Sequence, residues 1–166
     1  MWILKESDAR FFNAEQRAQV EALMEGILPG TETSPGARDV GAAEYLDRLL
    51  AMDDATYYEI PSWRQLYADG LPALDAAART LHGKPITKLS ADERNDLLGQ
   101  LSQGGLGGFP QSVDQKKLFA AIRGHTIEGC FADPRWGGNR DGAMWQWFGY
   151  IDEARAFRRP AATPQP

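Results

Sequence analysis

Apolar residues in this chain recur at three- and four-residue steps, and no period-two run of useful strand length appears. Val20, Leu23, Met24 and Ile27 fall on one helical face. Asn13 can cap that helix, with Gln16 at the reciprocal position of a capping box. Leu28-Pro29-Gly30 ends it, because proline cannot continue the hydrogen-bond ladder and disfavours helix in the residue before it. A polar loop from Thr31 to Gly36 carries the turn signal Pro35-Gly36. Val40, Ala43, Leu46, Leu49 and Leu50 then predict a second helix from about Asp39 to Met52, with Tyr45 at the border of its stripe.

The next run is the longest. Pro61 suits a first helical turn, and Trp63, Leu66, Tyr67, Leu71, Leu74, Ala78 and Leu81 hold one face. Gly70 and Pro72 inside it predict a kink or a short break, with the apolar phase kept. His82-Gly83-Lys84-Pro85 reads as a stop, with Gly83 just past the helix end. Ser90 and Glu93 form a capping box ahead of Leu97, Leu98 and Leu101. Residues 103–110 read as a flexible loop, and Ser112 with Gln115 predicts a further capping box. Leu118, Phe119, Ile122 and His125 continue a fifth helix, and Ala143 to Tyr150 predicts a short aromatic one. The expected fold is therefore all-α: a single domain of about five or six helices with a long Gly/Trp-rich C-terminal loop. Residues 1–156 are assigned to that domain, and 157–166 to a disordered proline-rich tail.

Composition narrows the function classes without choosing one. The 166 residues are 43% hydrophobic and 25% charged, which is ordinary for a globular domain. A net charge of -5 argues against nucleic acid and anionic membrane as partners. One cysteine, Cys130, excludes an intrachain disulfide. No stretch approaches the roughly 18 apolar residues of a membrane span. Met1 to Glu6 lack a basic region with a following apolar run, so no signal peptide is expected. The expected location is cytoplasmic, or periplasmic if a partner's signal carries the chain.

The candidate chemistry is sparse. Glycines 104, 105, 107 and 108 suggest a phosphate cradle, but a helix precedes them where a dinucleotide fingerprint needs a strand. His125 and Cys130, with Asp133 or His82, could bind metal, yet their spacing matches no recognised ligand pattern. Cys130 as a nucleophile would need positive charge nearby, and Gly129 and Phe131 supply none. Asp53-Asp54, and Glu128 with Asp133, could be paired carboxylates but read better as solvated ends. The aromatics Trp136, Trp145, Trp147, Phe148 and Tyr150 support two compatible readings: a local mini-core, or a partner surface. Two functions stay open beside partner docking: a small enzyme using His125 with Glu128 and Asp133, and a sugar-binding module stacking on the tryptophans.

At Trp136-Gly137-Gly138-Asn139 the chain resembles the gluconate 2-dehydrogenase subunit 3 family. The resemblance also uses Ile27-Leu28-Pro29, Pro35-Gly36-Ala37, Ala43 to Asp47, and the run Tyr67, Gly70, Leu71, Leu74 and Asp75. Thr126, Gly129, Phe131, Pro134, a later Trp (145 or 147) and Gly149-Tyr150 complete it, over roughly residues 11 to 151. The order and spacing of these motifs, more than any one of them, is specific. The resemblance implies a small subunit of a flavin-dependent sugar or sugar-acid dehydrogenase. The large subunit, of the glucose-methanol-choline oxidoreductase type, would hold FAD and the catalytic residues, and a cytochrome c often accepts the electrons. No catalytic, cofactor or metal residue is then expected in this chain. Trp136, Gly137, Gly138, Asn139, Trp145 and Trp147 are the expected partner-binding residues.

Overall fold

A computed structural model describes residues 9–150, and helices account for most of it. The assigned tail at 157–166, and the domain's first eight and last six residues, lie outside the described residues. Helix α1 spans Ala14–Ile27. Its capping box forms as the sequence predicts: Gln16 N donates to Asn13 Oδ1 at 2.9 Å, and Asn13 N donates to Gln16 Oε1 at 3.1 Å.

Helix α2 is shorter than its stripe suggested, Ala42–Leu50. Residues 36–41 fold into a turn instead, in which Val40 N donates to Gly36 O and Gly41 N to Arg38 O, both at 3.2 Å. Gly41 at φ +70° then separates the turn from the helix. At the other end Arg64 gathers the carbonyls of Leu50 and Met52, placing a cation where the helix leaves its acceptors open.

Helix α3 runs unbroken through Ile60–His82, so the expected break at Gly70 and Pro72 is absent. Pro72 removes one amide, but Pro72 and Ala68, the residue left without that donor, are both exposed, so water can serve the free carbonyl. Gly70 has a packing role: a Cβ there would come within 2.8 Å of Leu118 Cδ2. Asp75 pins the next turn, a short 3-10 stretch at Ile86–Lys88, by accepting from Ile86 N at 2.9 Å.

Helix α4, Ala91–Gln103, begins at the expected Ser90–Glu93 box. Helix α5, Gln115–Phe131, begins differently from its prediction. Its cap is Asp114, which accepts from Lys117 N at 3.1 Å, because Ser112 lies too far ahead of the first turn. Gln115 instead reaches back to the glycine loop. It accepts from Leu106 N at 3.0 Å and donates to Leu106 O at 2.8 Å. The predicted aromatic helix over 143–150 closes earlier, as α6, Ala143–Trp147.

α5 is the axis of the bundle, packed against α1, α2, α3, α4 and α6. Leu118, Ile122 and Cys130 from α5 meet Leu23 and Met24, Leu46 and Leu50, Leu71 and Leu74, and Leu97 and Leu101, each 1% exposed or less. A fully buried side chain of this size contributes about 1.5–3 kcal/mol. One buried acid is part of this frame. Asp47 Oδ1 accepts from the amides of Phe11 and Phe12, both at 2.8 Å, while Oδ2 lies 3.2 Å from Arg17 Nη1. Its charge is thus matched where the chain enters α1.

Candidate functional site

Of the residues that looked chemical in the sequence, His125, Glu128, Cys130 and Asp133 lie on α5 or just beyond it, while His82 ends α3, Asp53-Asp54 follow α2 and the glycines at 104–108 follow α4. Helical spacing turns His125, Thr126, Gly129 and Cys130 inward and leaves Ile127, Glu128 and Phe131 outward. His125 is 2% exposed. Its Nδ1 lies 3.0 Å from the hydroxyl of Tyr67, and its ring meets Trp63 edge to face at 4.6 Å. Burial pushes the imidazole down to about 4, so it is neutral at pH 7. Cys130 is fully buried, and burial, with the charge of Glu25 behind it, pushes the thiol up to about 12. It is a core residue, not a nucleophile.

Glu128 is held above its usual range, chiefly by burial and further by the charge of Glu59; the Tyr45 hydroxyl, 3.2 Å away, acts in the opposite direction. Asp133 is held low by Arg135, and accepts from Arg135 N at 3.0 Å to open a turn over Pro134–Trp136. His125, Glu128 and Asp133 therefore serve three separate local contacts. Among the described residues no group of three or more His, Cys, Asp or Glu side chains could hold a metal ion. The glycines at 104–108 follow α4 directly, without the strand-turn-helix setting of a nucleotide cradle.

Beyond α5 the chain doubles back as a strap, residues 132–150, with 132–142 as its inner half and α6 and the three residues after it as its outer half. Gly138 makes it possible. A Cβ there would sit 2.0 Å from Gly129 O, so two glycines let strap and helix touch backbone to backbone. Gly129 is equally confined from the other side, where a Cβ would meet Ala42 O at 2.7 Å. Asn139 then locks the strap in the left-handed region at φ +43°. Its amide donates to Gly129 O at 2.8 Å, and its Nδ2 donates to Ala132 O at 3.0 Å. Its Oδ1 accepts from Met144 N at 2.9 Å, and its carbonyl from Gly142 N at 2.8 Å. Asn139 is 0% exposed. One residue on, Arg140 N donates to Val40 O at 2.9 Å, tying the strap to the turn before α2.

The locked strap presents a different outer face. Trp147, Phe148 and Tyr150 are 54%, 50% and 47% exposed. Phe148 bridges Phe131 at 5.8 Å and Tyr150 at 6.0 Å, and Trp145 meets Tyr150 at 5.2 Å. Two indoles are aimed by hydrogen bonds: Trp145 Nε1 to Phe131 O at 2.9 Å, and Trp147 Nε1 to Thr33 O at 2.8 Å. Both indole donors are thus satisfied within the chain.

The model for gluconate 2-dehydrogenase subunit 3 matches residues 14–151. The chain belongs to the gluconate 2-dehydrogenase subunit 3 family. No curated protein and no solved structure matches it.

The family motifs now carry physical meanings. Tyr67 holds His125, Gly70 admits Leu118, and Asp75 holds Ile86. Gly129, Gly138 and Asn139 form the strap lock. Of the six expected partner-binding residues, Gly138 and Asn139 are buried, and Gly137 lies against the Arg48 side chain. Trp136 and Trp145 are partly buried, and Trp147 is exposed. Tyr67, His125 and Phe131 each entered the sequence reading separately, but nothing there paired Tyr67 with His125 or placed Phe131 in the aromatic cluster. No described helix is long and apolar enough to cross a membrane.

Proposed function

We propose that this chain is the non-catalytic small subunit of a flavin-dependent dehydrogenase that oxidises gluconate, glucosides or related sugars. Its partner is a catalytic subunit of the glucose-methanol-choline oxidoreductase type, which holds FAD and the reacting residues; a cytochrome c is a further candidate partner, as electron acceptor. The small subunit stabilises or matures that partner by mass action, and accompanies it in the cytoplasm or, by the partner's signal, into the periplasm. The observation that carries this reading is the aromatic face of Phe131, Trp147, Phe148 and Tyr150, exposed at the end of α5 and on the outer half of the locked strap, with partly buried Trp145 beside it. Tryptophan and tyrosine on a pre-organised surface are typical interface anchors. The burial and neutrality of His125 weigh against a small enzyme built on it.

A tagged chain expressed in its native host should co-purify with a protein showing a flavin absorption spectrum. Trp147→Ala with Phe148→Ala should cut that capture at least about tenfold, the loss expected when an anchor residue worth over 1 kcal/mol is truncated. Capture of no flavoprotein by the unaltered chain would overturn the reading.

A further inference from the structure

Beside the strap, α1 and the 36–41 turn enclose a cleft of about 220 Å³. Arg17, Arg38 and Arg140 line it over a floor that includes buried Met24, with Gly41 and Glu21 completing the wall. The three guanidinium groups differ in what they already hold. Arg17 is committed within the chain: it lies 2.7 Å from Glu44, 3.2 Å from Asp47 and 3.3 Å from Glu21. Arg38 and Arg140 have no acidic partner within ion-pair distance among the described residues.

Both are nevertheless positioned by their backbones. Arg38 N donates to Glu25 Oε2 at 3.0 Å, and Arg140 N donates to Val40 O at 2.9 Å. Gly41 gives the Arg140 side chain its place. A Cβ at Gly41 would stand 2.9 Å from Nη2, so the guanidinium lies over bare backbone. Two cations held at a concave site, in a chain whose net charge is -5, run against the general charge of the molecule. A planar guanidinium offers paired N–H donors that match the two oxygens of a carboxylate. The volume admits a carboxylate with a few attached carbon atoms, and the apolar floor suits those carbons.

We propose that this cleft binds a carboxylate between Arg38 and Arg140, either a small free organic acid or an Asp or Glu side chain of the docked catalytic subunit. Arg17 shapes the wall, and its ion pair with Glu21 keeps it from competing with Arg38 and Arg140 for that carboxylate. The free-acid arm stands whether or not a flavoprotein docks; the partner arm rests on the proposed docking.

Two measurements on the full chain separate the sources. The first is amide-resolved NMR during titration with sodium acetate or disodium malonate, against sodium chloride at equal ionic strength. Saturable shifts at Gly41 and Arg140 with the acids and not with chloride, weakened at least about tenfold in Arg38→Gln and Arg140→Gln, would support a free-acid site. Neither side chain has an internal acid to lose, so both variants should melt as the parent does. The second measurement is capture of the flavoprotein by the double variant Arg38→Glu, Arg140→Glu, with the aromatic face intact. No acid-dependent shift, but a fall in capture of at least about tenfold, would assign the carboxylate to the partner. Chloride-like shifts together with unchanged capture would overturn the proposal. If the unaltered chain captures no flavoprotein, the docking reading falls and the titration alone decides: shifts retain the cleft as a small-acid site, and their absence removes it.

Discussion

Gly138 and Trp147 stand nine residues apart and meet opposite fates. The inner half of the strap buries Asn139 with both ends of its side-chain amide paired, and a methyl added at Gly138 would collide with backbone. The outer half shows aromatic rings to solvent while their indole donors stay satisfied. Composition does not separate the two, since glycine, asparagine and tryptophan suit either a tight loop or an interface. What separates them is how little the inner half can change and how little the outer half is asked to do for the fold.

The hardest way to break that contrast is Gly138→Ala. The added carbon meets a main-chain oxygen, so the strap must move; destabilisation of about 3 kcal/mol or more is expected in chemical denaturation. His125 probes the same interior by pH. Its folded pKa of about 4 lies below the ordinary 6.5, so the unfolded chain takes up the proton first. Its contribution is therefore complete above pH 6.5 and is lost as pH falls toward 4, by about 3 kcal/mol at most. Glu128, held high, works in the opposite direction, and Glu44, held low, adds to the acid loss. The difference between parent and His125→Gln across that window isolates the histidine, and a constant difference would refute its burial as a neutral ring. Asn139→Ala should cost about 2 kcal/mol, through two lost side-chain hydrogen bonds and a left-handed backbone that alanine tolerates poorly. Trp147→Ala should cost the isolated fold no more than about 1 kcal/mol, in keeping with one hydrogen bond and a half-exposed ring. A larger loss there, with partner capture unchanged, would return the outer half to the core.

The bundle was legible because periodic stripes and local caps are short-range signals. Asn13 with Gln16, and Ser90 with Glu93, announced helix starts that form as read. Ser112 misled because the same spacing occurs by chance beside a better cap, Asp114. Pro72 misled because the cost of a missing amide depends on solvent, and its side of α3 faces water. The site was legible only in part. Trp136 to Asn139 could be recognised as a shaped loop, but Gly138 and Asn139 close onto the backbone of Gly129, which itself packs on Ala42, far away in sequence. The Tyr67–His125 contact spans 58 residues, and no local pattern announces it. Arg38 and Arg140 line one cleft only because the strap returns to the turn before α2.

That return also sets an order of events. Arg140 bonds Val40, and Trp147 bonds Thr33 across 114 residues, so the aromatic face cannot be assembled from local pieces. Long-range closure comes only after the segments it joins are in place. A chain still missing α2 or α5 has nothing for Gly138 and Asn139 to grip, and so displays no ordered rings. A partner that recognises those rings would discriminate finished subunits from unfinished ones, and the strap would act as a maturity signal as well as a latch.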